Sequence, residues 1–66
     1  MDLAFARKRL GMTQEQMAKL IGVDQATVCL WEKKKSKPNV KILPKVAEAY
    51  RVSVEEILLS GEQAGG

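Results

Sequence analysis

A chain of 66 residues makes one domain, and at that size only about 60% of the surface exposed on unfolding is buried, so stability must come from close packing of a small core. One cysteine and no histidine leave no disulfide within the chain, no zinc-ligand set and no imidazole for proton transfer; with no glycine-rich phosphate loop either, the chain is read as a non-enzyme without cofactor or metal. Hydrophobic residues at 45% with no Pro/Gly-rich linker indicate a globular unit, and the lack of a membrane-length apolar run or a signal-peptide core makes the expected compartment the cytoplasm.

The first element is a helix that stops near Gly11, with Leu3, Ala6 and Leu10 along one face. Arg7 lies at the edge of that face, and Phe5 points away from it. Thr13 and Gln16 have the spacing of a capping box and open a second helix over Gln14–Ile21. Its apolar stripe, at about 100° per residue, is Met17, Ala18 and Ile21. Gly22 stands at the corner, where a positive φ costs least in a residue without a Cβ, and Val23 follows as a plug between helices. Asp24 is the expected cap of a third helix, about Gln25 to Lys33, and its charge suits that end of the dipole. Val28 and Trp31 face inward, while Gln25, Ala26, Cys29, Leu30 and Lys33 share the opposite face.

Charge is distributed unevenly along the chain. Lys33 to Ala47 holds six lysines and no acid, whereas Glu48 to Gly66 holds four glutamates against Arg51. The basic stretch directly follows the third helix, which favours contact with a polyanion over a merely solvated loop. Pro38-Asn39 introduces a fourth helix with Val40, Leu43, Val46, Ala47 and Tyr50 as apolar content. Pro44 would remove an internal hydrogen bond and crowd the carbonyl of Val40, so Val40 to Leu43 is expected to form a loose turn with regular helix beginning near Pro44. Ser53 and Glu56 repeat the capping box and start a short fifth helix to about Leu59, with Val52, Ile57 and Leu58 closing the core. The domain is assigned to residues 1–61, and 62–66 to a loose, disordered tail.

Two short amphipathic helices around a glycine corner form a helix-turn-helix, whose second helix can lie in the DNA major groove. Arg7, Gly11-Met12-Thr13-Gln14, Met17-Ala18, Gly22-Val23, Trp31-Glu32, Pro38-Asn39, Ala47 and Val52-Ser53 occur in the order and spacing of the Cro/phage-repressor-like (XRE-type) helix-turn-helix family. The chain resembles nearly the whole of one such domain, from about Leu3 to Leu59. That resemblance implies an all-α, five-helix, lambda-repressor-like fold and sequence-specific binding of double-stranded DNA as a transcriptional regulator, most simply a repressor. It also implies base contacts from Gln25, Ala26 and Leu30, and Cys29, on the same groove-facing side, is counted with them as a candidate base contact. Glutamine can bond bidentately to adenine, whereas alanine and leucine offer only apolar contact, for instance to a thymine methyl. Cys29 has no second cysteine or basic pair beside it and is read as a small filler rather than a redox sensor.

Thr13 and Gln14, with Lys33, Lys35 and Lys37, are the implied phosphate contacts. The family's arginine–glutamate pair falls on Arg7 and Glu32, joining the first and third helices. Lys34 and Arg51 depart from the family pattern, standing where a helix-ending glycine is common; a left-handed backbone there costs each roughly 1 kcal/mol relative to glycine. A single recognition helix carries few base-reading side chains, so a homodimer on a palindromic operator is expected, its half-sites about 10 bp apart. The fifth helix, with Val54 and Leu59, is the expected dimer interface, and no small-molecule ligand is evident. The alternative is a protein-interaction module, such as an antitoxin or antirepressor component, using the apolar residues Phe5, Leu20, Leu30 and Leu59.

Overall fold

The computed structural model describes residues 2–58. Four helices run in order, α1 (Leu3–Arg9), α2 (Gln14–Ile21), α3 (Gln25–Glu32) and α4 (Leu43–Tyr50), and a further helical stretch, α5, covers 54–58. Leu59, the domain end expected at 61 and the tail expected over 62–66 lie outside the described residues.

Most helix starts are specified by short polar side chains. Asp2 accepts the Ala4 N–H at 3.0 Å. At α2 both halves of the capping box form, the Gln16 N–H donating to Thr13 Oγ1 at 3.0 Å and the Thr13 N–H to Gln16 Oε1 at 2.8 Å. Ser53 and Glu56 repeat the exchange at 2.9 and 3.0 Å. The third helix departs from expectation. Asp24 has the extended backbone of an N-cap, but its carboxylate accepts no capping bond; it acts on α3 only through the helix dipole.

The four longer helices end in one way. A residue with positive φ follows each, and a backbone N–H then reaches the carbonyl five residues back: Met12 to Arg7, Val23 to Ala18, Lys35 to Leu30 and Val52 to Ala47. This is the closure that glycine favours. Gly11 and Gly22 provide it at the first two ends, but Lys34 at φ 62° and Arg51 at φ 60° provide it at the others. At the Gly22 corner, the Lys45 ammonium lies 3.8 Å from where a Cβ would stand. That cation sits at the negative end of the α2 dipole.

Pro44 shapes the approach to α4 as the sequence suggests. Asn39 organises a turn, its side chain accepting the Lys41 N–H at 2.9 Å and its carbonyl the Ile42 N–H at 3.0 Å. Helix begins at Leu43, which puts Pro44 in the first turn, where its missing N–H leaves no intrahelical bond unmade.

The core is built around α2 and α4. Met17, Ala18 and Ile21 from α2 meet Val28 and Trp31 from α3 and Leu43, Val46, Ala47 and Tyr50 from α4; Leu3, Ala6 and Ile57 complete it. Val23 packs against this cluster from its edge, as a plug between α2 and α3 should. Three residues assigned to the core by periodicity are not in it: Leu10 is 38% exposed, Val40 77% and Leu58 43%. Leu10 is already the C-cap of α1, where the chain begins to turn. Val40 lies in the turn before α4 and does not follow a helical period. Leu58 is about 100° round the helix from buried Ile57, and so small an element has one inward face.

Candidate nucleic-acid interface

α3 presents its two sides very differently. Val28 and Trp31 are buried, whereas Gln25, Ala26 and Leu30 are exposed and Cys29 is partly covered. Lys33, Lys34, Lys35 and Lys37 follow at once, all exposed. Thr13 is also exposed; its oxygen is occupied by the Gln16 N–H, but the hydroxyl proton remains available to an acceptor such as a phosphate. The outcome is an exposed helix face with few hydrogen-bonding groups, followed by cations.

The inner end of α3 is anchored by Glu32, the last residue of the helix. Arg7 Nε donates to Glu32 Oε2 at 2.8 Å and Arg7 Nη2 to Oε1 at 3.0 Å, a bidentate pair from α1 to α3. Gln14 Nε2 on α2 donates to Oε1 at 3.1 Å, and the Tyr50 hydroxyl on α4 donates to Oε2 at 2.8 Å. Arg7 Nη1 donates to the Met12 carbonyl at 2.8 Å. The two charged side chains are 11% and 4% exposed, and every buried side-chain polar atom among the described residues has a partner.

Burial alone would lift the Glu32 carboxyl, but the hydrogen bonds from Arg7, Gln14 and Tyr50, with the charge of Arg7, outweigh it and hold it below the ordinary carboxylate value. The Tyr50 hydroxyl is pushed well above its ordinary value by burial first and then by donation to Glu32. Arg7 is raised by its bond to Glu32 against the opposing effect of burial. The group therefore stays as carboxylate, guanidinium and neutral phenol across the neutral range. One carboxylate thereby ties the end of α3 to the three helices behind it.

Several candidate residues stand differently from the sequence reading. Gln14, a phosphate contact by the family resemblance, turns its amide inward to Glu32. As the first residue of α2 it still offers an unbonded backbone N–H at the positive end of a helix. Cys29, a candidate base contact, is partly covered, whereas Ala26 and Leu30 are exposed. Val54 packs partly against the chain's own core, and Leu59 lies outside the described residues. Tyr50 is the member that sequence reasoning missed, having been counted only as apolar content. The available signal was that a tyrosine on a buried stripe needs an acceptor for its hydroxyl.

The helix-turn-helix family profile matches residues 3–57. An uncharacterized HTH-type transcriptional regulator of Archaeoglobus fulgidus is 35% identical over 57 residues, covering 86% of this chain and 80% of its own. A similarly described regulator of Methanocaldococcus jannaschii is 35% identical with 86% of each chain covered. The HTH-type transcriptional activator BcrR of Enterococcus faecalis is 36% identical over 52 residues, which are 79% of this chain and 25% of that protein. No solved structure matches the chain.

Proposed function

The chain belongs to the helix-turn-helix family, and from that premise we propose that it regulates transcription by binding double-stranded DNA sequence-selectively, with α3 in the major groove. The observation that carries this reading is the contrast across α3. Its back is locked into the core by Val28, Trp31 and the Glu32 cluster, while its front, Gln25, Ala26 and Leu30, is exposed and bordered by lysines. A helix held rigidly from behind can present base-reading groups at a defined depth and angle. Gln25 has the donor and acceptor for a bidentate contact to adenine. Lys33, Lys35 and Lys37, the Thr13 hydroxyl and the Gln14 backbone amide supply phosphate contacts, which fix register without reading sequence.

The regulatory mode proposed is repression by occupancy in the cytoplasm, since a bound domain excludes other proteins from the same groove. The bound form is a symmetric dimer. The longest extent of the domain is 29 Å, shorter than the helical turn of about 34–36 Å that separates half-sites, so two copies fit side by side with their α3 helices in successive major grooves. The dimer contact is assigned to the α5 end, with Leu59 and the exposed edge of Val54.

Selection of binding sites from random duplexes, followed by affinity measurements at two salt concentrations, tests the whole reading. The selected site should have dyad symmetry, and the affinity should fall steeply with salt as counterions are released. Gln25→Ala should cost about 1–3 kcal/mol at one base pair per half-site and relax preference there; Lys35→Ala should weaken all sequences alike and reduce the salt slope by about 1. Equal losses on selected and random DNA for Gln25→Ala would remove the base-reading role, and a site without a dyad would remove the dimer.

A further inference from the structure

We propose that Lys34 is a phosphate clamp at the exit of α3, in a turn that is less stable than glycine would make it and carries a cation for the DNA backbone instead. The inference rests on the DNA-binding reading above and deepens it. Lys34 has φ 62°, a left-handed backbone that a residue with a Cβ adopts at a penalty and glycine adopts freely. The conformation is fixed from both sides. The Lys34 N–H donates to the Trp31 carbonyl at 3.1 Å, and the Lys35 N–H to the Leu30 carbonyl at 3.0 Å. Glycine would close α3 through the same bonds with less strain, and nothing within the fold accounts for the lysine. Its side chain is exposed, and among the described residues the one salt bridge joins Arg7 to Glu32. A cation does suit the end of the α3 dipole, but Lys33 at the C-cap already supplies one.

What the ammonium meets is indicated by where the turn sits. Leu30, whose carbonyl holds the Lys35 N–H, belongs to the exposed face of α3 together with Gln25 and Ala26. With that face in the major groove, the end of the helix leads to the groove's wall, which is a row of phosphates. Lys34 reaches that wall from a pinned backbone, so only its own side chain has to be ordered on binding. Strained backbone of this kind collects at binding sites, where function retains it. Arg51 gives the comparison within the same molecule. It ends α4 with φ 60° and the matching bond, from the Val52 N–H to the Ala47 carbonyl at 3.0 Å. It borders a depression with Leu20, Pro44 and Ala49 rather than the face of α3. The two helix ends share a backbone and differ in what they stand beside.

The test compares the unaltered chain with Lys34→Gly, Lys34→Asn and Arg51→Gly, each measured for thermal unfolding and for affinity to a selected and a random duplex across a range of salt. Lys34→Gly should raise the melting temperature by about 4–8 °C. It should nevertheless weaken both duplexes by the same factor, about fivefold per bound copy at roughly 0.15 M salt, and reduce the salt slope by about 1, as the loss of one phosphate contact requires. Asparagine tolerates the left-handed backbone and carries no charge, so Lys34→Asn should lose the same affinity and slope. Arg51→Gly should gain similar stability and keep the slope of the unaltered chain. Affinity and slope unchanged in Lys34→Gly overturn the clamp, and so does a loss of stability in that variant, which would make the lysine a structural residue. Loss confined to the selected duplex would make Lys34 a base reader, loss in Lys34→Gly but not in Lys34→Asn would trace the effect to a loosened turn, and an equal drop in slope for Arg51→Gly would trace it to net charge. Each of these overturns the proposal while leaving α3 a DNA reader. No salt-dependent binding of DNA by the unaltered chain removes the DNA-binding reading itself, and the clamp with it.

Discussion

Glu32 concentrates more of the tertiary structure than any other side chain described. Arg7, Gln14 and Tyr50, from three different helices, all donate to it. A carboxylate so little exposed would be costly without those donors, because desolvation penalises the charged form. Removing one partner should therefore cost more than removing the pair. Glu32→Leu alone strands the guanidinium of Arg7 and should destabilise the domain by about 3 kcal/mol or more, while adding Arg7→Met should recover part of that loss, giving a coupling of about 1–3 kcal/mol. Urea unfolding of the two single variants and the double variant measures it, and additive effects would show that the pair is not energetically linked. The Arg7–Glu32 contact was legible only through resemblance to a family, since nothing in the spacing of residues so far apart brings them together. Tyr50 was legible only as a buried hydroxyl in need of an acceptor, and not as a partner of Glu32.

At the scale of elements, the caps separate what local chemistry specifies from what it only permits. Thr13 and Asp24 occupy the same position at the starts of α2 and α3 and read alike in the sequence, yet Thr13 exchanges both capping bonds and Asp24 makes none. Thr13→Ala should accordingly cost about 1 kcal/mol, whereas Asp24→Ala should cost only the few tenths associated with charge at a helix end. Thermal unfolding of the two variants decides it; equal losses would mean that Asp24 caps α3 in solution. The left-handed ends at Lys34 and Arg51 make the opposite point, because there a non-glycine residue adopts the backbone that glycine favours. At both ends the residue that follows closes the helix locally, the Lys35 N–H on the Leu30 carbonyl and the Val52 N–H on the Ala47 carbonyl.

For the molecule as a whole, the Glu32 cluster sets a pH window. The ordinary value of this carboxyl is 4.5, and the folded protein holds it lower. The unfolded chain therefore takes up the proton first as pH falls, so the stabilisation is complete above about pH 5 and is lost as pH drops below 4.5 through the folded value. Glu56, lowered mainly by its hydrogen bonds with Ser53, acts in the same direction. Tyr50 has the reverse sign. Its ordinary value of 10.0 is raised on folding, so its contribution is intact below pH 10.0 and declines above it. The expected outcome is a melting temperature that is level between these limits and falls on the acid side, with Glu32→Gln flattening much of the acid limb. An unchanged acid limb in that variant would assign acid sensitivity to other carboxylates.

The sequence by itself determined the elements and their order. Capping boxes at Thr13 and Ser53, the Gly22 corner and the delay of α4 to Leu43 before Pro44 all follow from interactions within a few residues, which the chain carries wherever it goes. The lysine-rich stretch after α3 was equally plain, since composition survives folding unchanged. What only tertiary structure decided were the relations between elements. Leu30 rather than Cys29 dominates the outer apolar face, Gln14 turns inward, and Leu10, Val40 and Leu58 stay outside the core. Periodicity places a residue on a side of its own helix, but whether another helix covers that side depends on how α1, α2 and α4 pack around α3, and this is settled by a hydrophobic core and a buried carboxylate assembled from distant parts of the chain.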